Sequence, residues 1–339
     1  MRVRALAIRI IHQFIRDKRT LALLFIAPLL VLGLVKLVFS GQDVQVEIGT
    51  VQLPPPIVER LAESEAVLTA YPNTSEAELA LKEGKLDAVL QLHNGAPSIL
   101  LEGSDPAVTK AVQFLIQRAF QAEAQTLQPN LAYMHGSQEM DAFDSFGPVL
   151  VGFFSFFFVF MLAGVSFLRE RTGGTLERLL ATPIRRWEVV VGYLTGFGLF
   201  TLIQAALIAW FSIDVLGLYM DGSIWLVLLL NLLLSLTALT LGTLLSSFAS
   251  NEFQIIQFIP LVIVPQVFFS GLFNLDAMAP WLQKLSYFMP LYYGADAMRG
   301  VMIRGEGWAD ISWNVGILLG LSLLFALLNI LALRKHRAI

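Results

Sequence analysis

Cysteine is absent from the 339 residues, which excludes disulfide frameworks, thiolate metal sites, iron–sulfur ligation and cysteine nucleophiles. Charge is scarce: 14% of residues are charged and 56% hydrophobic, against about 25% and about 45–50% in a soluble globular domain. That balance argues against a soluble enzyme. The 23 basic and 26 acidic residues leave a net charge of −3, so no basic excess points to nucleic acid. The histidines His12, His93, His135 and His336 are scattered along the chain, and no metal cluster assembles from them. The chain holds no Gly-x-x-x-x-Gly-Lys-Ser/Thr loop for nucleotide phosphates. No catalytic or metal-ligating constellation is read.

What is present is a series of long apolar runs, each of about 20 residues and therefore able to cross a bilayer as a helix. They cover 20–39, 146–168, 189–217, 225–248, 255–272 and 315–333, which predicts six membrane-spanning helices. The first run follows a basic stretch, as a signal peptide would. Its length and the lack of a small-x-small cleavage site at Ser40, Gly41, Gln42 and Asp43 read instead as a retained anchor. Runs two to six hold no Lys, Arg or His between their ends, with Asp214 near the outer end of the third. An ion-coupled transporter, which needs buried ionisable relays, is disfavoured.

Basic residues set the orientation. Six fall in 1–19, five in the loop 169–187 (Arg169, Arg171, Arg178, Arg185, Arg186) and three in the tail 334–339. Six spans place these together, with both termini cytoplasmic. Segment 41–145 lies on the other side and carries 15 acidic and 5 basic residues, its acidity reading as a solvated surface. Arg299 and Arg304 are exceptions to the rule.

Segment 41–145 reads as a small α/β domain inserted between the first two spans. Val44, Val46 and Ile48 alternate like a half-buried strand. Ser75 with Glu78 reads as a capping box and Gly84 as the helix end. Strands are expected at 86–92 and 99–101, then a helix opened by Asp105 and Pro106 with Val108, Ala111, Val112, Leu115 and Ala119 on its apolar face. Residues 1–19 set Leu6, Ile10 and Phe14 and Ile8, Ile11 and Ile15 against Arg2, Arg4, Arg9, Arg16 and Lys18, the pattern of a basic helix in the cytoplasmic interface plane.

The loop after the second run is the densest feature on the basic side. Thr175 is expected to cap a short helix with Glu177 and Arg178 exposed, Leu176, Leu179 and Leu180 as an apolar stripe, and Pro183 as its stop. A short charged helix below the membrane suits a partner's groove.

The run Arg169-Glu170-Arg171, followed by Gly174-Thr175-Leu176-Glu177-Arg178-Leu179-Leu180-Ala181-Thr182-Pro183, closely resembles the loop after the second span in permeases of type-two ATP-binding-cassette (ABC) exporters. The likeness continues in Ser250-Asn251-Glu252-Phe253-Gln254, Phe269-Ser270-Gly271-Leu272-Phe273, Met298-Arg299-Gly300 and the inserted Glu83-Gly84-Lys85-Leu86-Asp87-Ala88-Val89. Thr172-Gly173 departs from it where many relatives carry another acidic-basic pair. The resemblance implies the transmembrane half of an exporter in a bacterial inner membrane. By the same resemblance it works with a second permease chain, identical or a sister, and two copies of a cytoplasmic ATPase that binds the ATP and magnesium, with no cofactor in this chain. It implies that Arg169, Glu170, Arg171, Gly174, Thr175, Leu176, Glu177, Arg178, Leu179, Leu180 and Pro183 form the coupling helix, flanked by the N-terminal helix.

Eight phenylalanines lie between 146 and 167 and cover all faces of a helix. Phe153, Phe157 and Phe160 share one face by their spacing. In similar exporters spans two and five line the path, so these residues with Phe258, Val262, Gln266 and Phe269 are expected to form an apolar route, against the alternative of packing and lipid-facing aromatics. Such an interior suits efflux of a hydrophobic or amphipathic compound, a drug, antibiotic or lipid. Pro260 and Pro265 interrupt the fifth span as a hinge or a static kink. Residues 273–313 suit re-entrant or interfacial helices, with Arg299 near Asp296. Gly192/Gly196 and Gly316/Gly320 have close-packing spacing. Two other readings stay open at this point: an ATPase-driven mechanical regulator acting through 41–145, and a membrane-embedded lipid-modifying enzyme.

Overall fold

The computed structural model describes residues 2–40, 46–62, 66–93, 96–101, 112, 115–116, 140, 142–273, 275 and 278–333. The helix expected from Asp105 lies outside these residues apart from Val112, Leu115 and Ile116, as do His135, His336 and the tail. The chain forms two compact units, residues 1–39 with 133–339, and residues 40–132.

In chain order the elements are α1 (Arg2–Arg16), α2 (Lys18–Ser40), β1 (Glu47–Val51), α3 (Pro55–Ala62), β2 (Val67–Tyr71), α4 (Thr74–Lys82), β3 (Ala88–His93) and β4 (Ala96–Leu101). Then follow α5 (Ala142–Thr172), α6 (Thr175–Leu180), α7 (Arg186–Trp210) with a π-helical turn (Phe211–Val215), α8 (Ile224–Ser246), α9 (Glu252–Phe268), α10 (Pro280–Ser286), α11 (Pro290–Arg304) and α12 (Trp308–Ala332).

The smaller unit is a four-stranded sheet in the order β2-β1-β3-β4. β1 pairs in parallel with β2 and β3, while β3 and β4 are antiparallel. A central parallel strand is covered on both faces. Accordingly Ile48 and Leu90 pack with Ile57 and Leu61 of α3, while Val51 and Val89 pack with Ala77, Ala80 and Leu81 of α4. Val112 and Ile116 join the first of these clusters. The cap of α4 differs from expectation. Asn73, not Ser75, is the N-cap, its Oδ1 accepting from the Glu76 amide at 2.9 Å, because Asn73 has extended backbone angles and Ser75 already lies inside the helix. Gly84 does end the helix, with φ +69. The sequence pattern missed α3 and β2.

Among the described residues of the larger unit, five helices are long and apolar enough to span a bilayer: 18–38, 143–172, 186–215, 224–246 and 308–332. The expected fifth span is the shorter α9, of 17 residues, which runs as one helix through Pro260 and Pro265. α8 is central, packed on α5, α7, α11 and α12. Its apolar residues are buried nearly all round, and Gly242 lets the α5 backbone approach so closely that a Cβ there would lie 2.6 Å from the Phe160 carbonyl oxygen. Two polar contacts tie α8 to α12: Thr237 Oγ1 lies 2.7 Å from Ser322 Oγ, and Asn329 Nδ2 of α12 donates to the Thr240 carbonyl at 2.8 Å.

Residues 273–313 divide into two kinds of helix. α10 leaves Trp281 exposed and is followed by exposed Tyr287 and Phe288, as at a membrane interface. α11 is instead an internal helix packed on α5, α8, α9 and α12. The expected Arg299–Asp296 pair is not formed. Arg299 donates to the Gly271 carbonyl at 2.9 Å, and Asp296 pairs with Arg304 at 3.5 Å, because Arg304 also meets Glu306.

Candidate coupling site

The expected coupling residues lie at one end of the larger unit, where α5 ends and the chain turns back into α7. Gly174 makes the turn possible: its φ of +68 lies in the left-handed region, where a Cβ is strained. This corrects the expected Thr175 cap. Gly174 holds the N-cap position, and Thr175 Oγ1 instead donates to both the carbonyl and Oε2 of Glu170, each at 2.7 Å. α6 then buries Leu176 and Leu180, leaves Leu179 half-buried, and exposes Glu177 and Arg178, as the stripe predicted. The exposed edge continues through Ala181, Thr182 and Pro183.

The three charged residues before the turn all have partners on other segments, Glu170 and Arg171 inward and Arg169 at the surface. Glu170, only 5% exposed, is a hub: Arg9 Nη2 lies 2.7 Å and Tyr193 OH 3.0 Å from the Oε2 that also meets Thr175. One carboxylate thereby joins α1, α5, α6 and α7. Charge-assisted hydrogen bonds of this kind are the stronger ones. Arg169 Nε donates to Glu252 Oε1 of α9 at 2.9 Å and lies 3.9 Å from Asp17. Arg171 Nη1 donates to the carbonyls of Ser246 and Ser247 at 3.0 and 2.7 Å, placing a cation at the C-terminus of α8.

The N-terminal helix, expected to lie in the membrane interface, packs on protein along its apolar face. Leu6 fits against Gly192, Ile10 against Gly196, and Phe14 meets the rings of Phe197 and Phe200. Arg2 donates to the Pro183 carbonyl and lies 3.8 Å from Glu188, so α1 also reaches the exposed edge of the turn. Arg9, Asp17, Tyr193, Glu188 and Glu252 were not singled out for this site from sequence. The signal was a lone acidic residue flanked by arginines, facing a helix whose Arg9 sits one position before the buried Ile10.

Asp17 separates α1 from α2 and caps the latter, its carboxylate accepting from the Thr20 hydroxyl at 2.5 Å and the Thr20 amide at 3.2 Å. The Thr20 hydroxyl, its amide and the Arg169 guanidinium together hold this carboxyl below its ordinary value of 3.8. A carboxyl whose folded value is depressed contributes stability that is present above the ordinary value and is lost as pH falls through the folded one. The cap contribution is therefore expected to be constant from pH 7 to pH 5. Asp17→Ala is expected to cost about 1 kcal/mol over that range, read as a constant difference in thermal midpoint.

The expected path residues separate. Phe153 and Phe157 stack at 5.9 Å on a half-exposed face of α5, and Phe258 and Val262 are half-exposed on α9. Phe160, 3% exposed, turns inward and stacks on Phe156. Gln266 is 3% exposed, and its Oε1 accepts from the Leu291 amide at 2.9 Å, capping the first turn of α11. Phe269 is buried as well. In this structure these three are packed within the chain, Gln266 with its amide oxygen satisfied by a backbone N–H.

A bundle of long apolar helices joined by a charged turn that grips its neighbours defines a multi-pass membrane protein. Residues 18–331 match the model of the ABC-2 family transporter proteins, and the chain belongs to that family. It is 24% identical over 329 residues to ABC transporter G family member 20 of Dictyostelium discoideum, covering 87% of this chain and 45% of that protein. It is 25% identical over 168 residues to the probable multidrug ABC transporter permease YbhR of Escherichia coli, covering 49% and 45% of the two chains. With the inner membrane transport permease YhhJ of Escherichia coli it shares 30% identity over 156 residues, 45% of this chain and 41% of the relative. The matched regions thus span less than half the length of each relative.

Proposed function

We propose that this chain is the transmembrane subunit of an ABC exporter, driven by a separate cytoplasmic ATPase that binds the exposed edge of the turn after α5. The observation that supports the reading is the two-sided construction of this turn. Glu177, Arg178, Ala181, Thr182 and Pro183 are exposed, while Leu176, Leu180 and the Glu170 hub tie the same few residues to the helices. A partner pressing on the exposed side moves the buried side with it. ATP and magnesium belong to that partner, two copies of which serve a pair of permease chains, identical or sister. Both termini are cytoplasmic, in a bacterial inner membrane.

The cargo in this reading is a hydrophobic or amphipathic compound, in keeping with the word multidrug in a relative's name. Its path runs along Phe153, Phe157, Phe258 and Val262, which are only partly buried by their own chain on α5 and α9. A ligand shifts the two access states only by its differential affinity for them.

The test is co-purification from native membranes in mild detergent. The wild-type chain is expected to bring down a stoichiometric ABC ATPase. Glu177→Arg with Arg178→Glu, both on the exposed side, is expected to lose it by at least about tenfold, a change of roughly 1.4 kcal/mol, with the permease's own thermal midpoint unchanged. Recovery of the ATPase at the wild-type ratio overturns the assigned contact. An intact wild-type preparation without any ATPase overturns the exporter reading itself.

A further inference from the structure

Three helices carry polar side chains near the middle of otherwise apolar spans: Ser155 on α5, Gln204 on α7, and Asn231 with Ser235 on α8, all 0% exposed. Their places in the packing coincide. Asn231 Nδ2 donates at 2.9 Å to the carbonyl of Ala205, the neighbour of Gln204. Ser155 lies on α5 between Gly152, which packs against Leu234, and Phe160, whose carbonyl faces Gly242. That sets it level with Ser235. Equal steps along the antiparallel α5 and α7 from the Phe167–Tyr193 ring contact at 5.2 Å bring Ser155 level with Ala205 as well. One polar layer therefore crosses all three helices.

Five atoms of this layer meet no hydrogen-bond partner among the described residues: Gln204 Nε2 and Oε1, Asn231 Oδ1, Ser155 Oγ and Ser235 Oγ. Buried polar groups are satisfied as a rule, and an orphan inside an apolar bundle is costly. A serine hydroxyl in a helix can turn to the carbonyl four residues back. Gln204 is unmet at both ends of its amide, and the helix N–H groups around Asn231 are already used in the helix itself. Together the atoms offer an N–H donor, two acceptors and two hydroxyls that serve as either. Between Asp144 and Arg169, between Glu188 and Asp214, and throughout α8 there is no Asp, Glu, Lys, Arg or His. A cation there would lack a counter-charge and face the Nε2 donor, and an anion would lack a positive partner. Water is neutral and both donates and accepts, which matches the mixed set.

We propose that this layer is a binding site for ordered water, held between Gln204 of α7 and Asn231 of α8 and reaching the hydroxyls of Ser155 and Ser235. A bridging water is nearly as favourable in enthalpy as a direct hydrogen bond. The central helix α8 is then fastened in two ways, directly to α12 through Thr237 and Asn329, and through water to α5 and α7. All five atoms lie inside the chain, so the site depends neither on the cargo nor on a partner.

The experiment is a density map of the full chain in lipid nanodiscs, at a resolution that shows ordered water, paired with the thermal midpoints of Gln204→Leu, Asn231→Leu and the double variant. Water density within hydrogen-bond distance of Gln204 and Asn231 is expected in the wild type. Gln204→Leu is expected to lower the midpoint by about 3–6 °C, because it removes one side of the water site and leaves Asn231 unmet. The double variant is expected to lose less than the sum of the two single changes, since both act on the same water. A dry, unpaired amide gives the opposite sign, because an apolar side chain of similar volume then relieves a buried orphan. A midpoint unchanged or raised in Gln204→Leu overturns the proposal. So does a map that shows other buried water while the two amides bond each other directly or meet nothing. Should the variants fail to fold as judged by gel filtration, the wild-type map decides alone.

Discussion

Glu170→Ala is expected to lower the thermal midpoint by about 5–10 °C and, on the proposed exporter reading, to reduce ATP-driven efflux by more than about tenfold. The carboxylate is buried and takes donors from three other segments: Arg9 and Gln13 of α1, Thr175 of α6 and Tyr193 of α7. Removing it leaves a buried hydroxyl and a partly buried guanidinium without their acceptor, at a cost of about 2–4 kcal/mol. In a chain of this size each kcal/mol corresponds to roughly 2–4 °C. Arg9, 38% exposed at its side chain, recovers water, which keeps the estimate at the lower end for a buried ion pair. Glu170→Gln keeps an acceptor for Tyr193 and Thr175 but not the charge for Arg9, so about half the loss is expected. Scanning fluorimetry on purified protein and efflux from vesicles read the two effects. A wild-type midpoint in Glu170→Ala would show that the hub holds nothing together.

Gly196→Leu is expected to detach α1 from α7, while the same change at Gly316 or Gly320 leaves the fold intact. A Cβ at Gly196 would lie 2.9 Å from both Cβ and Cγ2 of Ile10, atoms rooted near the α1 backbone that cannot rotate away. Overpacking of this kind costs about 1–3 kcal/mol. Gly192 is more forgiving, because the nearest atom at 2.5 Å is the far end of Leu6. At Gly316 and Gly320 a Cβ meets nothing within 4 Å in this chain. The absence of cysteine makes the readout clean: Leu6→Cys, at a site 4% exposed on the same face of α1 and with Ile10 left in place, is a unique thiol expected to react slowly, and to react many times faster once Gly196→Leu is added. Equal labelling rates in the two backgrounds would sink the α1–α7 contact. Loss of efflux at Gly316→Leu with a normal midpoint would mark that face as the contact of a second chain.

The two glycine pairs also show where sequence reading ran out. Both have the same spacing, and only three-dimensional packing separates the pair that meets a helix in its own chain from the pair that does not. Long apolar runs, the short charged turn with Glu177 and Arg178 outward, and the helix end at Gly84 were all legible, because each rests on local length, periodicity or backbone conformation. α9 was legible as an apolar run but falls below the length of the other spans. Most of the Arg169, Glu170 and Arg171 partners were not legible, since they lie on other segments of the chain, from Tyr193 at 23 residues from Glu170 to Arg9 at 161. Gln266 shows a further limit of the sequence pattern, which does not reveal a residue's backbone partner. Its place among phenylalanines suggested a path, whereas a glutamine in an apolar bundle is more often committed to a neighbouring backbone, here that of Leu291.

Arg169, Glu170 and Arg171 are consecutive and so point in three directions around the end of α5, and each direction is already taken: α9 and the α2 cap, α1 with α7, and the end of α8. A helix end fastened on three sides has lost its freedom to spin about its own axis or to swing towards one neighbour. The movement left to it is one in which all of those helices travel together, so on the proposed reading a stroke delivered at Glu177 is conserved in direction and shared as a block displacement rather than dissipated in bending of a single rod.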